Sequence, residues 1–323
     1  MPKRPFRPAS TSAARAPHAP FEARKPPASA RTGERPTEDD DDTDGRRSEL
    51  VHGARAALAI VRRRPREVRG AWATQEALQA LPELAEVASR ARVRIQRAAD
   101  AELTRRVHTP NHEGVVLEVL ERSWHAIGEL ADELVAAQGL CVVLDRVRNP
   151  HNIGAIARSA AFFGARALLL GSPAPHPGLP PDAVRIAEGG AEHLALARTT
   201  DLAGALDKLR ARGVRVVGGE SDVEAPLFGA PLRGPVAIVV GHEVEGISER
   251  VRARCDQMVT IPGTGVVGSL NVAISASLFM AEWARGREPL PALPNGVTGR
   301  RDGPAGAASH DLERGDRPRR GRR

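Results

Sequence analysis

The sequence has no tyrosine, only six phenylalanines and three tryptophans, and only two cysteines in its 323 residues. The cysteines, Cys141 and Cys255, lack the spacing of a zinc site or of a disulfide scaffold. No apolar run approaches the roughly 18 residues that a membrane-spanning helix requires. These absences argue against a membrane protein and a disulfide-stabilised secreted domain. They favour a cytoplasmic protein, and no cluster of ligand residues predicts a metal.

Lysine is also scarce, so arginine supplies nearly all of the positive charge. The net charge is +7 and the isoelectric point is about 10.6. A polyanionic partner such as RNA would explain this charge. A genome with a bias toward arginine and alanine would give the same charge without any such partner, and the charge alone leaves both interpretations open.

Both ends of the chain lack the apolar residues that a core requires. Residues 1–48 are rich in proline, arginine, alanine and serine, end in an acidic run, and are predicted to be disordered. The prolines and the missing apolar segment argue against a transit peptide and a secretory signal. Residues 288–323 are predicted to form a second disordered tail, which is basic. These arms either hold RNA through phosphate contacts or serve only to solubilise the protein.

Between the tails, residues 49–122 are predicted to form a small α/β domain with helices at 52–64 and 81–93 and strands at 66–74 and 114–120. Its aromatic residue Trp72, like Trp124 just beyond it, is predicted to lie in the core rather than to stack on bases. Residues 123–138 are interpreted as a linker.

Residues 139–287 alternate apolar strands with helices, which predicts an α/β fold with a mainly parallel sheet covered on both faces. Within this domain Gly263, Gly265 and Gly268 match the G-x-G-x-x-G pattern of dinucleotide-binding proteins. They follow the last strand rather than the first, and no later strand ends in an acidic residue that would hold a ribose. A nicotinamide-dependent enzyme is therefore disfavoured, and the glycines predict a loop whose backbone can approach a ligand.

Three segments place polar residues after strands or in the first turns of helices. They are LDRVRNPHNIGAIARSAAFFGA, IVVGHEVEGIS and TIPGTGVVGSLNVAISA. That edge is where ligands bind in open α/β sheets. Each has a plain structural explanation when taken singly, because Asn152 and Ser269 could cap helices and Arg158 could be an exposed or salt-bridged arginine.

Together the three segments resemble the SpoU (TrmH-like) family of RNA 2′-O-ribose methyltransferases. The family's motifs are N-x-G with an arginine on the next helix, G-x-E-x-x-G, and I-P-x-x-G-x-x-x-S-L-N-V. They correspond here to Asn152 through Arg158, Gly241 through Gly246 and Ile261 through Val272. Residues 49–122 resemble, more weakly, the family's L30e-type substrate-binding domain, as in a tailed subgroup of the family.

The resemblance implies a SPOUT-type domain with a trefoil knot, and a homodimer whose active sites combine residues of both subunits. It also implies that S-adenosylmethionine is the cofactor and RNA the partner. The cofactor would lie against loops of the knot and be contacted largely by backbone. On matching positions, these contacts fall at Gly218, Gly241, Ile261 and Leu270.

The implied reaction transfers a methyl group from a sulfonium to a ribose hydroxyl, which requires a base or strong polarisation. The family's candidate is Arg158, although a guanidinium with a pKa above about 12 stays protonated. Either an RNA phosphate takes its proton, or the arginine binds phosphate and stabilises the developing alkoxide. Asn152, Ser269 and Asn271 would position the ribose, the arginine or the loops. Glu243 would hold its loop, orient Arg158 or act directly in catalysis.

The resemblance leaves the substrate open between ribosomal and transfer RNA, with the separate N-terminal domain favouring ribosomal RNA. A noncatalytic RNA-binding or assembly factor on a methyltransferase fold is the alternative function. Against it, every motif position that the chemistry requires is present, whereas a decayed active site should have lost some.

Overall fold

The structure, a computed structural model, describes residues 46–173 and 178–287. The two predicted tails lie outside this part of the chain, apart from residues 46–48. No helix among the described residues is long and apolar enough to cross a membrane.

The N-terminal domain contains four strands and four helices. Their bounds are β1 (Ser48–His52), α1 (Ala54–Arg63), β2 (Val68–Ala73), α2 (Gln75–Ala80), α3 (Pro82–Arg90), β3 (Gln96–Arg97), α4 (Asp100–Val107) and β4 (Val115–Leu120). The sheet has the order β1-β4-β2-β3, in which β4 pairs antiparallel with β1 and β2, and β2 pairs parallel with β3. This arrangement confirms a small α/β domain.

The predicted helices and strands of this domain correspond to α1, α3, β2 and β4. Helix α1 ends just before Pro65, whose ring cannot continue a helix. Strands β1 and β3 and helices α2 and α4 were not predicted, because they are short or contribute few buried residues. Trp72 is buried as predicted, and the guanidinium of Arg106 lies 4.0 Å from the centroid of its ring.

The described residues of the second domain form six strands and six helices. Their bounds are α5 (Ile127–Ala137), β5 (Leu140–Asp145), α6 (Pro150–Phe162), β6 (Ala167–Gly171), α7 (Pro181–Ile186), β7 (Ala195–Thr199), α8 (Leu202–Ala211), β8 (Arg215–Gly219), β9 (Val236–Val240), α9 (Glu249–Arg252), β10 (Gln257–Val259) and α10 (Val272–Arg285). All strand pairs in its sheet are parallel, in the order β10-β8-β9-β5-β6-β7. The prediction of a mainly parallel sheet is confirmed.

Helices cover both faces of this sheet, which explains why β5 is a continuous apolar run. Val142 and Leu144 belong to one core together with residues of α6 and α10. Cys141 and Val143 alternate with them and belong to a second core together with residues of α5 and α8. A strand covered on both faces needs apolar side chains at every position.

Helix α5 lies within the segment that the sequence analysis interpreted as a linker. Its Leu130, Ala131 and Leu134 are completely buried in the second core, against the sheet. Leucines four residues apart lie on one face of a helix. Most of residues 123–138 therefore pack as part of the second domain.

The two domains share a core and a buried ion-pair cluster. Ala57 and Ile60 of α1 belong to the same apolar core as the residues of α6 and α10. The side chain of Glu192, only 6% exposed, accepts hydrogen bonds from Arg64 Nε at 3.0 Å and from Arg122 Nη2 at 3.2 Å. The loop between α7 and β7, which carries Glu192, is thus fixed against the N-terminal domain.

Candidate active site

The first two motifs follow neighbouring strands of the parallel sheet. Strand β5 lies beside β9, with Leu144 opposite Val240, so the residues after both strands emerge at one edge. The sheet order also reverses here, because β6 and β7 lie to one side of β5 whereas β8, β9 and β10 lie to the other. Such a switch point is where open α/β sheets bind ligands.

A chain of hydrogen bonds joins the three motifs through side chains. Asn152, which is 8% exposed, donates from Nδ2 to Glu243 Oε1 at 2.5 Å. Asn271 Nδ2 in turn donates to Asn152 Oδ1 at 3.0 Å. A hydrogen bond to a charged group contributes about 1.5–3 kcal/mol. Asn152 therefore ties the second and third motifs to the start of α6.

The helix caps differ from those considered in the sequence analysis. Asn149 caps α6, with Oδ1 accepting from the backbone N–H of His151 at 2.9 Å, so Asn152 lies inside the first turn. Asn271 caps α10, with Oδ1 accepting from Ala273 N at 2.8 Å. Helix α10 thus begins after Ser269 rather than at it, and Ser269 is exposed in the preceding loop.

The second motif forms a tight loop that requires glycine at Gly241. His242 and Gly246 exchange two backbone hydrogen bonds of 3.0 and 2.9 Å, which brings the ends of the loop together. A Cβ on Gly241 would lie 2.2 Å from the carbonyl carbon of Gly246 and 2.3 Å from the amide nitrogen of Ile247. Gly246 has φ +68°, a left-handed conformation that glycine adopts without penalty.

Two residues that the sequence analysis did not assign hold this loop in place. Asp145, buried at the end of β5, accepts from the backbone N–H of Ser248 at 2.6 Å. Arg146 donates from Nη2 to the carbonyl oxygen of Gly246 at 3.1 Å and also pairs with Glu245. The sequence does contain a signal for Asp145, because an acidic residue at the end of an otherwise apolar strand is unusual.

The predicted cofactor contacts fall at the carboxyl edge of β8, β9 and β10. Gly218 is the penultimate residue of β8, Gly241 follows β9, and Ile261 and Leu270 lie in the loop from β10 to α10. In that loop a Cβ on Gly263, Gly265 or Gly268 would meet no atom within 4 Å. Its apolar side chains are open as well, and Leu270 is 45% exposed. Bare backbone with exposed apolar side chains fits a cofactor that is bound largely by main-chain groups.

Arg158 lies on a different face of α6 from Asn152. Six residues separate the two, which places them about 120° apart around the helix and about 9 Å apart along its axis. The guanidinium, with the side chain 58% exposed, pairs with Glu188 at 2.8 Å. The structure therefore brings Asn152, Glu243 and Asn271 together, whereas Arg158 does not join this cluster. Glu243 holds Asn152 and is itself exposed.

Neither cysteine offers a nucleophile at this edge. Burial raises the pKa of Cys141 and that of Cys255 to about 12, so both remain protonated thiols. Both are free. Among the described residues, no group of three or more histidine, cysteine, aspartate or glutamate side chains is placed to hold a metal ion.

Comparison with known proteins agrees with this geometry. The profile of the SpoU rRNA methylase family matches residues 139–281, and that of the RNA 2′-O-ribose methyltransferase substrate-binding domain matches residues 50–123. The chain belongs to the SpoU family. It is an RNA 2′-O-ribose methyltransferase, and nothing in these comparisons favours the noncatalytic alternative.

Relatives of this SpoU methyltransferase share both domains. A 23S rRNA (guanosine-2′-O-)-methyltransferase, RlmB, from Pseudomonas syringae pv. tomato is 34% identical over 242 residues, which span 74% of this chain and 96% of the relative. The uncharacterized tRNA/rRNA methyltransferase YfiF of Escherichia coli O157:H7 is 32% identical, with 73% of this chain and 67% of YfiF covered. The crystal structure of the SpoU methyltransferase AviRb from Streptomyces viridochromogenes, in complex with AdoMet, is 26% identical and superposes with a TM-score of 0.61 over 74% of this chain and 90% of AviRb.

Proposed function

We propose that this SpoU methyltransferase modifies a ribose 2′-hydroxyl of ribosomal RNA. The observation that supports this substrate class is the match with RlmB, a 23S rRNA methyltransferase that aligns over 96% of its length and therefore over both domains. The N-terminal domain would bind the RNA, and its fixed contact with the second domain would present one ribose to the site.

The substrate is tested by methyl transfer from labelled S-adenosylmethionine to total RNA from a strain that lacks the gene. Ribosomal and transfer RNA are separated after the reaction. We expect label in ribosomal RNA, at one position that primer extension locates as a 2′-O-methyl ribose. Label confined to transfer RNA would overturn this choice of substrate.

The proposed donor is S-adenosylmethionine, which supplies a methyl group on a positively charged sulfonium. The exposed backbone of the 261–270 loop, together with the sheet edge at Gly218 and Gly241, would hold it. The open main chain of that loop supports this placement. The chain of Asn152, Glu243 and Asn271 would keep the loops of the three motifs in register. Ser269 would contact the ribose, because its hydroxyl lies exposed in the same loop.

Arg158 would act on the methyl acceptor, the ribose 2′-hydroxyl of the RNA. Its guanidinium would bind an RNA phosphate and stabilise the negative charge that develops on the ribose oxygen. Transfer of the arginine's proton to that phosphate remains the other route, in which the arginine then acts as base. Both roles require Arg158 to face RNA, and its exposed side chain supports that.

We propose further that the active site is shared between two copies of the chain. His151, Ala155, Arg158 and Phe162 follow one another at helical spacing and form a single stripe on α6. Phe162 is 80% exposed, and Ile274 on the neighbouring α10 is 53% exposed. Exposed apolar residues beside a catalytic arginine are suited to a subunit interface. A partner copy seated there would bring its own cofactor loop to Arg158.

Mixing two inactive variants tests this shared site. Arg158→Ala lacks the group that stabilises the ribose oxygen and Gly241→Ala lacks a properly formed cofactor loop, so each alone should have little activity at a cofactor concentration well below the weakened Kd of Gly241→Ala. If the site takes Arg158 from one copy and the loop from the other, random heterodimers have one intact site. Mixed chains should then recover about a quarter of the wild-type rate. No recovery, with dimers verified by sedimentation, would show that each chain builds its own site.

Three further features implied by the family remain proposals for this chain. They are the trefoil knot of the second domain, the L30e type of the N-terminal domain, and a cytoplasmic location. A ribosomal RNA substrate supports the location.

A further inference from the structure

The partner of Arg158 in this structure is a carboxylate that the family motifs do not include. Glu188 accepts from Arg158 Nη1 through Oε1 at 2.8 Å. Its other oxygen, Oε2, lies 3.7 Å from Nε of Arg55 on α1 of the N-terminal domain. One carboxylate therefore lies between the catalytic arginine and an arginine of the RNA-binding domain.

The position of Glu188 is set by packing on both sides of its loop. The backbone of Glu188 has φ +46°, which is uncommon for a residue with a side chain. Gly189 follows with φ +87°, and a Cβ there would lie 2.6 Å from Cβ of Ala59 on α1. A Cβ on Gly190 would lie 3.0 Å from Cα of Arg158. A side chain at Gly189 would clash with α1 and one at Gly190 would crowd α6, so the two glycines let the loop hold Glu188 beside Arg158.

Strained backbone of this kind persists where the surrounding structure enforces it, and it is concentrated at functional sites. Glu192, four residues further on, already anchors the loop through Arg64 and Arg122. Glu188 is not needed for that purpose, and its side chain stays 36% exposed. A carboxylate on an exposed arginine competes directly with a phosphate for the same guanidinium N–H groups.

We propose that Glu188 is a positioning residue that holds Arg158 in the RNA-free enzyme and yields it to an RNA phosphate. When the phosphate binds, Arg55 retains the carboxylate, so the charge of Glu188 keeps a partner. The phosphate thereby replaces Glu188 as the partner of the catalytic arginine. This inference rests on the proposed role of Arg158 toward RNA.

Glu188→Gln keeps the shape of the side chain and removes the charge that competes with phosphate. Exposed ion pairs contribute about 0.2–1 kcal/mol, so we expect the Kd and the KM for the substrate RNA to fall about 1.4- to fivefold. kcat should stay within about twofold of wild type. Glu133→Gln is the matched control, because Glu133 also pairs with an exposed arginine, Arg166, at 3.7 Å.

Arg55→Ala separates this mechanism from a purely structural role. In the wild-type background it should weaken RNA binding, because Glu188 then keeps hold of Arg158. In the Glu188→Gln background the same change should have little further effect. A Glu188→Gln enzyme with unchanged or weaker RNA binding, or an Arg55 effect that is equal in both backgrounds, would overturn the proposal.

Filter binding of unmodified RNA reports these Kd values without any methyl transfer. The result is therefore separate from the choice of ribosomal RNA as substrate. If ribosomal RNA is not methylated, the same comparison is made with the RNA class that accepts label.

Discussion

Arg158→Ala is expected to reduce methyl transfer by about 10²–10³-fold, the range found when one charge-stabilising donor is removed from an active site. The guanidinium is exposed on α6 and lies outside the apolar cores, so the fold should not depend on it. Cofactor affinity should also persist, because the predicted cofactor contacts lie on the loops after β8, β9 and β10. Single-turnover transfer to RNA measures the chemistry, and calorimetry with S-adenosylmethionine measures the binding.

Arg166→Ala is the control for the loss of one exposed arginine. Its side chain is 53% exposed and pairs with Glu133, at a position that no motif includes. This variant should transfer methyl groups at the wild-type rate. If Arg158→Ala retained the wild-type rate as well, Arg158 would have no catalytic role, and the explanation of the site would have to begin from the cluster of Asn152, Glu243 and Asn271.

Gly241→Ala is expected to weaken cofactor binding by about five- to 150-fold, because its new methyl group would overlap the backbone at Gly246 and Ile247. Overpacking costs about 1–3 kcal/mol, and the loop must open to relieve it. That movement would break the backbone pair between His242 and Gly246 and shift Glu243 away from Asn152. Calorimetry with S-adenosylmethionine and thermal unfolding measure the two consequences.

Gly286→Ala provides the comparison for the loss of a glycine. Its Cβ would meet only the carbonyl oxygen of Trp283, at an ordinary 3.6 Å. We expect wild-type cofactor affinity from this variant. Equal affinity in Gly241→Ala would mean that the second motif's loop is not part of the cofactor site, even though it lies at the same sheet edge as the other predicted contacts.

The architecture could be predicted because the spacing of apolar residues along the chain indicates which segments are strands and which are helices. The apolar run of β5 and the alternation of strands and helices are local signals, and they led to the parallel sheet. The motifs were placed correctly at its carboxyl edge since each follows a strand. Helix α5 had a usable signal in Leu130 and Leu134, whose spacing places them on one face, but the surrounding polar residues obscured it.

The contacts within the site were harder to predict from the sequence, because they depend on how distant segments pack. The two asparagines could be found near helix starts, but the cap of α6 proved to be Asn149, which precedes Pro150 at the first helical position, a typical pattern. Glu188 is separated from Arg158 by a strand and a helix. Its contact exists only because paired glycines let the loop approach α6 and α1, and no periodicity reports such an approach.

The continuous core across the two domains affects how a target is chosen. With Ala57 and Ile60 of α1 packed into the same apolar core as α6 and α10, the junction offers no hinge. The distance between the RNA-binding domain and the site of methyl transfer is then fixed. We therefore expect methylation only of an RNA that is folded so that a ribose lies at that one distance from the recognised segment, and selection would then rest on the tertiary shape of the RNA as well as on its bases.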